Sequence, residues 1–242
     1  MSPSVAKTLP RQELVQMVAL AAVVAVALAW VPWFQVLAYP FRLLLTTVHE
    51  LSHGLAALAT GGRFERFLIN TDGSGLAYTA GGVRSVVIPA GYLGAACFGA
   101  LLVWLGSRPR AGRGALIASG ALMILLTLRF GLPSVWHGDV LSGLLTTAAG
   151  GSIGLLFLWV GLALPLRWVV FFVHLVAFEA ALFALDDLRV LIGLSATSQA
   201  PANDALSMAE LTRIPAPVWA VLWAVMAAAI IAVAVYRAWF RR

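Results

Sequence analysis

About seven apolar runs, each near or above the length needed to cross a ~30 Å hydrocarbon core, follow one another along nearly the whole chain. They lie at residues 14–37, 41–60, 84–106, 115–132, 141–165, 168–193 and 217–239. Backbone in lipid must satisfy its own hydrogen bonds, so runs of this length fold as helices. The expected fold is an all-α polytopic membrane protein with about six to seven transmembrane helices, forming a single integral membrane domain over residues 1–242. Composition points the same way. At 62% hydrophobic and 11% charged residues, with a mean hydropathy of +0.95, a soluble domain would expose large apolar patches.

The first run follows Lys7 and Arg11 as a signal peptide would, but its apolar part is longer than a signal core and carries no convincing small-x-small cleavage site. It reads as a retained helix. The net charge of +6 comes from arginines at helix ends and in short loops, where they meet headgroups, so nucleic acid is not an expected partner. Arg108, Arg110 and Arg113 favour a cytoplasmic 107–114 loop and Arg237, Arg241 and Arg242 a cytoplasmic C-terminus, while Lys7 and Arg11 pull the opposite way in a seven-helix count. Cys97 is the single cysteine. An internal disulfide and a cysteine-based zinc cluster are thereby excluded.

Against this apolar background stands Val48-His49-Glu50-Leu51-Ser52-His53-Gly54. At 3.6 residues per turn His49 and His53 stack on one helix face, where both imidazoles can reach a single Zn²⁺. Glu50 lies one step around the helix, within reach of a water at that metal. The spacing is the H-E-x-x-H pattern of zinc hydrolases, and ionisable groups inside a membrane helix mark a functional site by default. The competing reading is that these polar groups only hydrogen-bond across a bundle.

The metal-motif helix, expected at 41–60, stops at Gly61-Gly62. From 61 to 83 the chain changes character: Arg63 to Asn70 alternates charged and apolar residues, Asp72-Gly73-Ser74-Gly75 supplies a turn, and Leu76 to Thr79 returns. This predicts a short β-hairpin after the metal-motif helix. Such backbone is tolerated at membrane depth where it lines a wet cavity; the alternative is a loop outside the bilayer. Pro89-Ala90-Gly91-Tyr92-Leu93-Gly94 and Gly150-Gly151-Ser152-Ile153-Gly154 are small-residue segments suited to close helix packing.

A catalytic zinc takes three protein ligands and leaves one position open. Candidates for the third are Asp139, Glu179, Asp186, Asp187 and Asp204. The adjacent acids Asp186 and Asp187, in a candidate third-ligand helix at 168–193, are costly near lipid unless a cation relieves them. The alternative is an ion pair with Arg189 at a helix end. His137 with Asp139 is a further pair, and His174 a core donor; for both, the structural role is expected. Asp204 reads as a helix N-cap.

Together, the His-Glu-x-x-His helix, the Gly-Gly and hairpin with Asp-Gly-Ser-Gly, the Gly-Tyr-Leu-Gly helix and a late membrane aspartate resemble the site-2 protease family of intramembrane zinc metallopeptidases. The likeness is to its small bacterial branch without a PDZ domain, over about residues 45–220. It implies zinc held by His49, His53 and a distant aspartate, with Glu50 as the catalytic acid/base. The family's Leu-Asp-Gly appears here as Leu185-Asp186-Asp187, without the Gly or the upstream Asn. The resemblance favours Asp187, then Asp186, as the aspartate ligand.

The expected function is an intramembrane zinc metalloendopeptidase cutting peptide bonds in or near transmembrane segments of other membrane proteins. Its partners would be a membrane-protein substrate and the lipid bilayer, and its place a multi-pass one in a bacterial inner membrane. The alternative is a non-catalytic membrane scaffold or inactive homologue that binds partner helices. A solute transporter would show two related halves with broken helices, and no such repeat is present.

Overall fold

The computed structural model describes residues 9–137, 139–195 and 203–241, with side chains described up to residue 183 in the sixth helix and again from 203. Eight α-helices and one hairpin are seen among them. In chain order they are α1 (Arg11–Trp30), α2 (Gln35–Ala59), β1 (Arg63–Ile69), β2 (Gly75–Ala80), α3 (Arg84–Gly106), α4 (Pro109–Leu126), α5 (Val140–Ala163), α6 (Leu166–Ser195), α7 (Asp204–Thr212) and α8 (Ala216–Trp239). A π-helical segment and a 3₁₀ turn extend α4 to Val135.

Among the described residues, six stretches are long and apolar enough to cross a membrane: α1, α3, α4 with its extension, α5, Leu166–Phe183 of α6, and α8. This is the lower of the two expected numbers. The difference is α2, where Arg42, His49, Glu50 and His53 dilute the apolar composition. The arginines that conflicted in a seven-helix count come to one end of the bundle, for Arg11, Arg108, Arg237 and Arg241 line a common recess.

The hairpin folds back along α2. Its base lies at the C-terminal end of that helix, where Gly82 meets Ala57 and Thr60, and Thr60 Oγ1 accepts from the Val83 amide at 3.0 Å. Its tip lies against the part of α2 that precedes the histidines: Tyr39 Oη donates to Thr71 O at 2.9 Å and Thr46 Oγ1 to Gly73 O at 2.8 Å. Gly73 takes the turn at φ +83°, a conformation that disfavours side chains. The antiparallel register runs from Arg63 opposite Ala80 to Ile69 opposite Gly75, with an irregularity between Phe64 and Arg66. That irregularity shifts the alternation by one residue, so Phe64, Phe67 and Ile69 all face inward and are buried.

The outer edge of β1 is covered by the bundle. Ser134 Oγ donates to Phe67 O at 2.6 Å, and the Ile69 amide donates to Thr146 Oγ1 at 2.7 Å. In an antiparallel pair, directly opposed residues point their backbone groups the same way relative to the ladder. With Phe67 and Ile69 bonded outward, their partners Ala77 and Gly75 present N–H and C=O groups on the opposite edge, that of β2. This edge lines the cleft described next.

Candidate metal centre

The two motif histidines lie on the face of α2 that packs against α3. His53 Nδ1 donates to the carbonyl of Val87 in the first turn of α3 at 2.8 Å, which leaves Nε2 as the lone-pair nitrogen pointing into the cleft. His49 packs edge-on to Tyr92 with ring centroids 4.8 Å apart, and Tyr92 in turn stacks on Trp223 of α8 at 5.7 Å. A Cβ added at Gly91 would lie 2.5 Å from His53 Nε2 and closer still to His49 Nε2, and one added at Gly94 would lie 2.5 Å from Ser52 Cβ. The glycines of α3 thus let its backbone come right up to the histidine face.

The third group comes from α7. Asp204 Oδ2 lies 3.1 Å from His49 Nε2 and 3.2 Å from His53 Nε2, and the two Nε2 atoms are 3.0 Å apart. Among the described residues this is the one group of three or more His, Cys, Asp or Glu arranged to hold a metal ion. The expected N-cap role for Asp204 is corrected. Asn203 caps α7, its side chain accepting from the Leu206 amide at 3.0 Å, and Asp204, one residue on, is free to face the histidines. Burial by itself raises the Asp204 carboxyl, but its hydrogen bonds with His49 and His53 outweigh it and hold the group below the usual carboxylate range.

Apolar packing brings α7 here. Ala205 and Met208 are buried in one cluster with Ile88 of α3 and Ala216, Ala220 and Trp223 of α8. Burying these faces docks the helix where Asp204 meets α2.

Glu50 is buried beside the histidines, next to β2. A Cβ at Gly75 would lie 2.5 Å from its Oε1, and the Ala77 amide faces its carboxylate. Around these groups is a cavity of about 430 Å³ bounded by α2, the hairpin, α3, Phe183 and α7, with Arg42 and Thr46 toward the hairpin tip. The volume falls within the range of small-molecule and peptide-side-chain sites.

The other anticipated residues are elsewhere. Asp139 caps α5, accepting from the Leu141 and Ser142 amides at 3.2 Å each and from Ser142 Oγ at 2.7 Å; the Ser142 bonds hold its carboxyl below the usual range. His137 Nδ1 donates to Pro133 O at 2.9 Å, and neither residue belongs to the His49, His53 and Asp204 group. His174 Nδ1 donates to Val170 O within α6 at 2.8 Å. The side chains of Asp186 and Asp187 lie outside the described residues. Sequence reasoning did not single out Arg42, Thr46 or Trp223, and read Gly91 only as a packing residue. Arg42 and Thr46 carried a usable signal, since they precede His49 and Glu50 by seven and four residues on one helix.

The fold and this cleft define a polytopic helical membrane protein with a partly buried His, His, carboxylate centre and a glutamate beside it. The chain matches the Peptidase M50B-like family over residues 19–234 and belongs to that family, one of site-2 protease type. No curated protein and no solved structure matches it.

The donor set fits a zinc ion. Two imidazole nitrogens and one carboxylate oxygen are the ligand types of catalytic zinc. Three lone-pair atoms so close together repel one another unless a cation or shared protons lie between them.

Proposed function

We propose that this protein is an intramembrane zinc metalloendopeptidase that hydrolyses peptide bonds in or near transmembrane segments of other membrane proteins, in a bacterial inner membrane. The observation that carries the reading is the meeting of His49, His53 and Asp204 in one cleft beside Glu50. In this reading these three residues hold the metal. Asp204 takes the ligand role that motif resemblance assigned to Asp187 or Asp186, because its carboxylate already touches both imidazoles.

When bound, zinc supplies Lewis acidity, polarising a carbonyl oxygen and making water acidic enough to attack it near neutral pH. Val87 orients His53 through its carbonyl, and Tyr92 orients His49 through its ring. Glu50 accepts the proton of the attacking water and delivers it to the leaving amine nitrogen. A substrate helix hides its carbonyls in its own hydrogen bonds, so it must unwind locally before cleavage. In this reading the edge of β2 that lines the cleft receives the unwound segment as an added strand and brings it past Glu50.

Glu50→Gln tests the assignment, since it preserves shape while removing the base. The variant is expected to bind zinc as wild type does and to leave a reporter with a single transmembrane segment uncut in proteoliposomes. Cleavage at the wild-type rate would refute Glu50 as the base; loss of zinc would refute the separation of its role from that of the ligands.

A further inference from the structure

At the end of the bundle defined by Arg11 and Arg237, the start of α1, the junction of α3 and α4 and the end of α8 enclose a recess of about 430 Å³. Arg11, Arg108, Arg237 and Arg241 line it, with Leu14 and Ala238 among its apolar walls. None of the four arginines makes an ion pair with a described carboxylate. Glu13, the one acid in this stretch of α1, lines a different recess with Arg167. Helix α4 begins in the arginine recess with Pro109 at its first position and no side-chain cap, so the positive end of its dipole adds to the same field. Four like charges from three separate segments repel one another, and the arrangement is relieved by an anion among them.

We infer that this recess binds the phosphate group of an anionic phospholipid. Guanidinium forks match phosphate oxygens two at a time. The arginines stand at the ends of α1 and α8 and at the α3–α4 junction, all candidate membrane spans, which is the level at which headgroups lie, and basic pockets between spans take anionic headgroups. Leu14 and Ala238 supply apolar wall for the glycerol and the upper acyl chain. Free inorganic phosphate shares the headgroup chemistry but has no use for that wall.

The test uses the delipidated full-length chain in detergent, titrated with phosphatidylglycerol, phosphatidylcholine and inorganic phosphate, with bound lipid counted by native mass spectrometry and phosphate binding read as a thermal shift. Phosphatidylglycerol is expected to be retained and phosphatidylcholine not. Each guanidinium beside an anionic headgroup contributes about fivefold in affinity, so Arg108→Gln with Arg237→Gln is expected to weaken phosphatidylglycerol binding about 30-fold. Arg63→Gln with Arg129→Gln, away from the recess, is the control for general charge loss and is expected to change it less than about twofold. Arg108→Lys with Arg237→Lys guards against misfolding: it keeps the charge without the fork, and intermediate retention is expected. Equal phosphatidylglycerol retention by wild type and the Arg108/Arg237 glutamine pair, or an equal loss in the control pair, overturns the site. A thermal shift with phosphate that needs Arg108 and Arg237, without lipid retention, overturns the lipid as occupant and assigns the recess to free phosphate.

Discussion

Gly91→Ala probes the closeness of α3 to the histidines by adding one methyl group. Its carbon would lie 2.5 Å from His53 Nε2 and nearer to His49 Nε2, where unbonded heavy atoms settle at about 3.5 Å, an overlap of about 1 Å on each ring. The rings have little room to yield, with His53 tied to Val87 O and both Nε2 atoms against Asp204. Either α3 withdraws or the rings turn, and overpacking of this kind costs about 1–3 kcal/mol. If the cost falls on the ligand geometry, zinc affinity drops about 10–100-fold, at 1.4 kcal/mol per factor of ten. A chelator competition titration on purified protein reads this directly. Two further variants separate the site from helix packing. Gly94→Ala meets Ser52 instead of the metal ligands and is expected to lower thermal stability with a smaller effect on zinc. Gly151→Ala meets nothing within 4 Å and is expected to stabilise α5 by up to about 1 kcal/mol, the usual helix-propensity gain. Wild-type zinc affinity in Gly91→Ala, or an equal loss in Gly94→Ala, would refute the reasoning.

Asp204→Asn keeps the side-chain shape but removes the charge, so its zinc affinity is expected to fall by more than the about 10–100-fold typical of residues that merely support ligands. Asp186→Asn and Asp187→Asn are expected to bind zinc normally in the same titration, and loss in either would return the ligand role to α6. Asn203→Ala removes the cap of α7 at a cost of about 1 kcal/mol and is expected to weaken zinc binding several-fold by loosening Asp204, with Asn203→Ser restoring most of it. Ser134→Ala leaves the buried Phe67 carbonyl without its partner, costing about 1–3 kcal/mol; a lower melting temperature, with hydrogen exchange at Phe67–Ile69 rising first, is the expected result.

What the sequence determined by itself was everything that depends on local geometry. Apolar runs of membrane length are enough to specify a helical polytopic protein, because lipid leaves backbone no other partner. The i, i+4 spacing places His49 and His53 on one face wherever that helix goes, and the turn chemistry at Asp72–Gly75 makes the hairpin. The number of spans was not settled by apolar length, because the run that became α2 holds the polar site groups and packs along the hairpin. The third member of the centre was out of reach for a different reason. Asp204 is 155 residues from His49 in sequence, on a nine-residue helix preceded by a polar stretch, and nothing local distinguishes it from the other acids. Only the burial of Ala205 and Met208 against Ile88 and Trp223, together with Asn203 taking the cap, turns that carboxylate toward the histidines. Ligand sets assembled from distant segments are products of packing, and packing is decided only when all the helices are present.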